Sequence, residues 1–121
     1  MSLSRTVGTA VLDRPAMLRQ GDVLIVPVDA IPPDAHPLAR EGGRVVLAHG
    51  EVTGHAHAIR AREATLLERN GERYLRVDSP VTLRHEEHAP IEVPAGGYRV
   101  VIQREYVPNE IPARAWRRVA D

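Results

Sequence analysis

The sequence predicts an all-β protein, a small barrel or sandwich of about eight or nine strands. Ten prolines and nine glycines divide the 121 residues into short segments. These segments are rich in β-branched residues, and an Asn-Gly pair joins two of them. Short strand-like runs separated by turn residues are typical of β-sandwiches and barrels. The length suits one β domain spanning residues 1–121.

Each predicted strand is an apolar or β-branched run bounded by turn-forming residues. The predicted strands cover 22–28, 44–48, 55–62, 66–69, 72–77 and 98–107. The first is a nearly continuous apolar run that ends at the loop IPPDAHP, so we expect both of its faces to be covered. Glycines at 42 and 43 open the second strand, and glycines at 50 and 54 bracket a bend before the third.

The Asn-Gly pair at 70–71 predicts a tight β-hairpin between the strands on either side. The hairpin register then places Glu68 opposite Arg73, as an ion pair on one face of the sheet. The same register places Leu66 opposite Leu75 as an apolar pair.

Within residues 75–93, most odd-numbered residues are apolar and several even-numbered residues are charged. Side chains alternate between the two faces of a strand, so His85 and Glu87 are predicted to point inward. His88 has the outward parity unless a β-bulge near Pro90 shifts the strand. The turn PAGGY then leads into the last strand, and residues 109–121 form a C-terminal tail or short helix anchored by Trp116.

Charge and composition exclude several classes of function. The formal net charge is zero and cysteine is absent, so we expect no nucleic-acid partner, no thiolate metal ligand and no disulfide. The sequence has neither a signal peptide nor an apolar run long enough to span a membrane, which predicts a cytoplasmic protein without a membrane partner. An open sheet edge would favour a homodimer.

Five of the six histidines fall in two short segments, AHGEVTGHAH and RHEEH. His55 and His57 are two residues apart on a predicted strand, so they share a face about 7 Å apart and can bind one ion. His85 has the matching inward parity. A single cluster of this kind more often consists of solvated or hydrogen-bonded histidines than of metal ligands. Two clusters that point inward together favour a metal site, because burying ionisable side chains is costly unless they are paired or bound to a metal. The predicted metal ligands are His55, His57 and His85, with Glu63 and Glu87 as alternative carboxylate ligands and His88 in reserve.

The remaining histidines have ordinary interpretations. His49 shares its parity with Val45 and Leu47, which suits a core histidine with a hydrogen-bond partner. His36 lies in a proline-rich loop and is expected to be incidental.

The segment GEVTGHAHAIRAREATLLERNG resembles the first cupin motif: a glycine, a paired histidine motif, a downstream glutamate and a closing glycine. The resemblance implies a cupin-like metal barrel in which Glu63 joins His55 and His57 as ligand. Downstream, VPAGGYR is similar to the second cupin motif, but Arg99 stands where that family usually has histidine. The chain is also similar to small bacterial proteins, and that similarity implies no activity.

Three functions are compatible with these residues. The first is a metalloenzyme that binds a divalent Zn, Fe, Mn or Ni ion and acts on a small molecule, with Glu87 and Arg104 as catalytic residues. The second is a non-catalytic binding module with a structural or sensory metal. The third is a metal-free scaffold in which the histidines form a polar network. Paired histidines can also act as acid and base without a metal, as in a histidine-based phosphodiesterase.

Overall fold

The computed structural model of the protein describes residues 16–50 and 52–103. This part of the chain contains ten β-strands and no helix, which confirms the all-β prediction. The strands are β1 (Leu18–Gln20), β2 (Val23–Pro27), β3 (His36–Pro37), β4 (Val45–His49), β5 (Ala56–Ile59), β6 (Ala64–Arg69), β7 (Glu72–Val77), β8 (Val81–Leu83), β9 (Ile91–Val93) and β10 (Gly96–Ile102). Within these residues there is no helix long and apolar enough to cross a membrane.

The predicted strands correspond to β2, β4, β5, β6, β7 and β10, with ends that differ by at most three residues where both are described. The number of strands exceeds the prediction because β1 and β3 have only three and two residues. Such short strands contain too few side chains to produce a recognisable alternation. The tail or helix predicted at 109–121 lies outside the described residues.

Six strands form the main sheet, in the order β1-β2-β10-β7-β6-β3, and every neighbouring pair is antiparallel. The short strands β1 and β3 lie at its two edges, which leaves little open edge for another chain to pair with. The homodimer expected from an open edge stays a prediction.

The other four strands form a second, smaller β surface. β4 pairs with β5, and β8 pairs with β9. Ala58 on β5 and Arg84, just after β8, join the two pairs through reciprocal backbone hydrogen bonds of 3.0 and 2.9 Å. No closed barrel forms among the strands that the structure describes. The described strands therefore form open sheets over a shared core, rather than the barrel that was one of the two predicted arrangements.

The hairpin at 70–71 is confirmed. Asn70 has φ of 53° and Gly71 has φ of 82°, the pair of positive values that a type I′ turn requires. Glu68 lies opposite Arg73 in the predicted register. The predicted ion pair between them is wrong, because the Arg73 guanidinium instead donates to the carbonyl oxygen of Leu47, on β4.

One apolar cluster occupies the interior and draws side chains from both β surfaces. Leu66, Leu75 and Tyr98 lie side by side across β6, β7 and β10, and Leu75 and Tyr98 are fully buried. Val81, Leu83 and Val93 enter the same cluster from β8 and β9, as their odd parity predicts.

The alternation is interrupted between β8 and β9. The strand ends at Leu83, and after Arg84 the chain bends away from the sheet over 85–90. Strand parity therefore cannot assign the direction of His85 or His88. A second irregularity, a register shift between Val46 and Ala48, interrupts the pairing of β4 with β5.

Tyr98 offers a test of the core. Its hydroxyl donates a hydrogen bond of 2.6 Å to the carbonyl oxygen of Pro94, and burial raises the pKa of the phenol. We expect Tyr98→Phe to lower the free energy of unfolding by about 1 kcal/mol at neutral pH, measured by urea denaturation. A raised pKa favours the neutral phenol in the folded protein, so this contribution is complete below the unfolded pKa of about 10 and is lost as the pH rises through the folded value. Equal stability of the two proteins at neutral pH would contradict the assigned hydrogen bond.

Candidate metal centre

A cavity of about 300 Å³ lies where the β1–β2 turn, the β4–β5 connection and the bent segment 85–88 meet. Most of its walls are polar and include five of the six histidines. Its lining residues are Gly21, Asp22, His49, Gly50, Val52, His55, His57, His85, Glu87 and His88. The two histidine-rich segments of the sequence thus meet in one cavity.

Four of these histidines form a compact cluster of rings centred on His85. The ring centroid of His85 lies 4.3 Å from that of His57, 4.6 Å from that of His88 and 5.8 Å from that of His55. His57 and His88 are nearly parallel, with centroids 5.8 Å apart. In their neutral form such rings offer several nitrogen donors to one small volume.

The local backbone explains why these side chains meet. His55 directly precedes β5 and His57 lies within it, so both face the same cavity two residues apart. His85 and His88 follow the Arg84 bridge, and the bend after it lets both reach the same side. His57 is the most deeply placed, with its side chain only 3% exposed.

Three side chains are close enough to share a metal ion. One donor atom from each of His55, His85 and Glu86 lies within 4.8 Å of the other two. Zinc binds nitrogen and oxygen ligands at about 2.0–2.2 Å. Rotations of these partly exposed side chains would therefore have to bring the donors somewhat closer around an ion.

Alternation through RHEEH would put Glu86 on the outward face, opposite to His85 and Glu87, but the structure places it in this group. Its Oε1 accepts a hydrogen bond of 2.9 Å from the backbone amide of Ala56. That hydrogen bond is the main reason why the pKa of Glu86 is lowered; a hydrogen bond from its own backbone amide comes second, and His55 and His85 contribute less. The lowered pKa favours the carboxylate, which is the form that binds cations.

His55 has a buried ring nitrogen that is not satisfied. Its Nδ1 atom is inaccessible to solvent and has no hydrogen-bond partner among the described residues. The nearest carboxylate oxygen, Oε2 of Glu87, is 3.3 Å away but outside hydrogen-bonding geometry. A buried polar atom without a partner is costly, and a bound ligand would remove that cost.

Two further polar groups contact His57. The carboxylate oxygen Oδ1 of Asp22 is 3.6 Å from its Nε2. The Oε1 atom of Gln20, a residue only 3% exposed, is 2.8 Å from its Nδ1. Sequence reasoning missed Gln20, because a single glutamine beside a turn carries no motif. Glu86 is part of the RHEEH segment, and strand parity does not predict its position because the strand ends at Leu83, three residues before it.

The other predicted residues lie elsewhere. Glu63 belongs to the turn before β6 and does not line the cavity. His49 lines it with an exposed side chain, and its Nε2 lies 3.0 Å from a carboxylate oxygen of Glu41, so it is not a core histidine. Arg99 pairs with Glu72 at 3.4 Å. Arg104 lies outside the described residues.

Gly50 makes room for the imidazoles. A Cβ atom on Gly50 would lie 3.0 Å from Cβ of His55 and 3.2 Å from Nε2 of His85. We expect Gly50→Ala to displace these rings and to weaken zinc binding by about tenfold or more, measured by competition with a chromophoric chelator. Val52→Ala is the control, since Val52 lines the cavity, is 51% exposed and carries no donor. Equal affinities for the two variants would show that the glycine is not needed.

A family model described as "Domain of unknown function (DUF8820)" matches residues 19–103. The matched range contains the whole cavity lining, Gln20 and Glu86. The search of curated proteins and the search of solved structures gave no match.

Proposed function

The chain belongs to the DUF8820 family, and from its histidine cluster we propose that it is a divalent-metal-binding protein that takes a small molecule at the metal. The observation that carries the proposal is the convergence of donor atoms from His55, His85 and Glu86 within 4.8 Å. The unsatisfied Nδ1 of His55 beside them adds to it. The three donors come from two segments about thirty residues apart in sequence, which only the fold brings together.

The donor set limits the choice of metal. Imidazole nitrogen with a single carboxylate suits Zn, Fe, Mn or Ni, and no thiolate is available to select a softer ion. His57 and His88 are the nearest further nitrogen donors, because their ring centroids lie within 4.6 Å of that of His85. The cupin resemblance suggested Glu63 as the carboxylate ligand; its position outside the cavity favours Glu86 in that role.

Three protein ligands would leave at least one coordination position for water or substrate, as in catalytic zinc sites. A five- or six-coordinate ion would keep an open position even with His57 as a fourth protein ligand. The cavity of about 300 Å³ has room for a molecule of a few non-hydrogen atoms beside the ion. Glu87 lines this cavity without belonging to the three-donor group. Its carboxylate is therefore a candidate general base for a reaction at the metal. The catalytic role of Arg104 stays a prediction.

Metal content is the direct test of the proposal. Protein purified without a histidine tag is expected to contain about one equivalent of a divalent metal by elemental analysis, or to take one up after chelation and titration. His55→Ala is expected to lose this metal. His36→Ala is the matched control, because His36 lies on the edge strand β3 away from the cavity. Near-zero metal in the wild-type protein after titration would contradict the proposal and favour the metal-free scaffold.

Cobalt substitution tests whether the metal has an open position. Cobalt(II) added to the metal-free protein is expected to give visible absorption bands, which should change when azide is added as a small-molecule probe. A cobalt spectrum that azide does not alter would contradict the small-molecule part of the proposal. It would favour the alternative in which the metal is structural or sensory.

A further inference from the structure

Gln20 is a buried polar residue whose side-chain hydrogen bonds go to His57 and to both ends of the segment that carries His85 and Glu86. Its amide nitrogen Nε2 donates hydrogen bonds of 3.0 Å to the carbonyl oxygens of Leu83 and Ala89. These two carbonyls flank residues 84–88, the segment that carries His85 and Glu86. One side chain on β1 therefore holds both ends of the segment that supplies ligands.

The same contacts define the orientation of the amide. An amide nitrogen has two hydrogens, and both are used by the two carbonyls. The reverse orientation would place the amide oxygen against two carbonyl oxygens, which repel it. The Oε1 atom of Gln20 therefore faces Nδ1 of His57 at 2.8 Å.

This orientation determines which nitrogen of His57 carries the proton. The amide oxygen can only accept, so Nδ1 of His57 must donate to it. In the neutral ring the lone pair is then on Nε2, the nitrogen 3.6 Å from the Asp22 carboxylate at the cavity. A hydrogen bond to one ring nitrogen is the usual way in which proteins orient a metal-binding histidine.

We propose that Gln20 is a positioning residue of the metal site: it holds His57 in the tautomer that presents Nε2 to the cavity, so that His57 binds the metal through this atom. The role in metal binding rests on the proposed function, whereas the tautomer does not. Gln20 acts through His57 and through the segment it anchors, and its side chain is 3% exposed and so has little access to the cavity itself.

His85 provides an internal comparison. Its Nδ1 accepts a hydrogen bond of 3.0 Å from the backbone amide of Glu87. The neutral ring of His85 therefore carries its proton on Nε2, the opposite of His57, although the two ring centroids are 4.3 Å apart. Binding of a metal at Nδ1 of His85 would replace the hydrogen bond from Glu87.

The tautomers can be read in the metal-free protein. Long-range proton–nitrogen-15 correlation spectra are recorded above the ordinary imidazole pKa of about 6.5, with signals assigned through His57→Ala and His85→Ala. We expect a protonated Nδ1 for His57 and a protonated Nε2 for His85. A His57 ring protonated at Nε2, or at both nitrogens, would overturn the proposal whether or not the protein binds metal.

Two variants separate positioning from packing. Gln20→Glu keeps an oxygen that accepts from His57, and it loses the donor to Leu83 and Ala89. Gln20→Met fills similar space and loses both. We expect Gln20→Glu to retain the Nδ1-protonated tautomer and Gln20→Met to lose it, together with about 10–100-fold in zinc affinity.

The outcomes distinguish the two proposals. If Gln20→Met keeps both the tautomer and the zinc affinity, Gln20 has only a packing role and the inference fails, while metal binding stands. If the wild-type protein binds no zinc but shows the expected tautomers, the proposed function fails and the tautomer assignment stands. If Gln20→Met does not fold, the tautomer of the wild-type protein decides: a proton on Nδ1 of His57 supports the inference and a proton on Nε2 overturns it.

Discussion

Replacing His85 by alanine is expected to weaken zinc binding by about 100-fold or more, while the protein stays folded. His85 is the ring that contacts all three neighbouring histidines, and it belongs to the only group of donor atoms within 4.8 Å that the described residues contain. It is half-buried and follows β8 rather than lying in a strand, so its removal should cost little stability. Competition titration against a chromophoric chelator gives the affinity, and thermal unfolding in excess chelator gives the stability.

Two controls make the His85 result specific. His36→Ala removes an exposed imidazole on β3, and its zinc affinity should equal that of the wild-type protein. Glu86→Gln keeps the shape of the side chain and removes its charge, so it should weaken binding less than His85→Ala. A zinc affinity of His85→Ala within threefold of the wild-type value would show that the ion, if bound, is held elsewhere.

The second large effect is expected in the core. Leu75→Ala should lower the free energy of unfolding by about 2–5 kcal/mol, measured by urea denaturation in the presence of chelator. Leu75 is fully buried and lies between Leu66 and Tyr98 on the neighbouring strands, so truncation leaves a cavity that rigid strand pairing cannot close. A native domain is stable by only about 5–15 kcal/mol, so this is a large fraction of the total.

Leu75→Met is the matched variant for this position. It conserves the volume of the side chain, and we expect it to cost less than about 1.5 kcal/mol. Met17→Ala, at a residue 59% exposed, should change the stability by no more than about 0.5 kcal/mol. A loss below 1 kcal/mol for Leu75→Ala would contradict the position of this residue at the centre of the core.

Local sequence was sufficient for much of the fold. The turn at 70–71, the register of Leu66 with Leu75 and the burial of Val81, Leu83 and Val93 all follow the prediction. Each depends on interactions within a few residues: positive φ at an Asn-Gly pair, and the alternation of side chains along one strand. The arrangement of the strands in open sheets was not predicted, because many pairing orders suit the same set of strands.

The candidate site was only partly accessible to the same reasoning. The clustering of histidine in two segments pointed to His55, His57 and His85, and the structure places all three on one cavity. Strand parity was applied beyond Leu83, where the strand had ended, so Glu86 was assigned to the wrong side. His49 was assigned to the core because a register shift in β4 has no clear signature in the sequence.

The sequence by itself determined which chemical groups are present and where the chain forms strands: imidazoles and carboxylates without thiols, in short β segments separated by glycine and proline. Only the tertiary structure decided which of these groups meet. It brought Glu86 next to His55, placed Glu63 outside the cavity, and put Gln20 against His57. The physical reason is that strand alternation is a local property of the backbone, whereas a metal site depends on distances of a few ångströms between segments. Those distances are set by where strands end, how they pair and which buried side chains hold the bends in place.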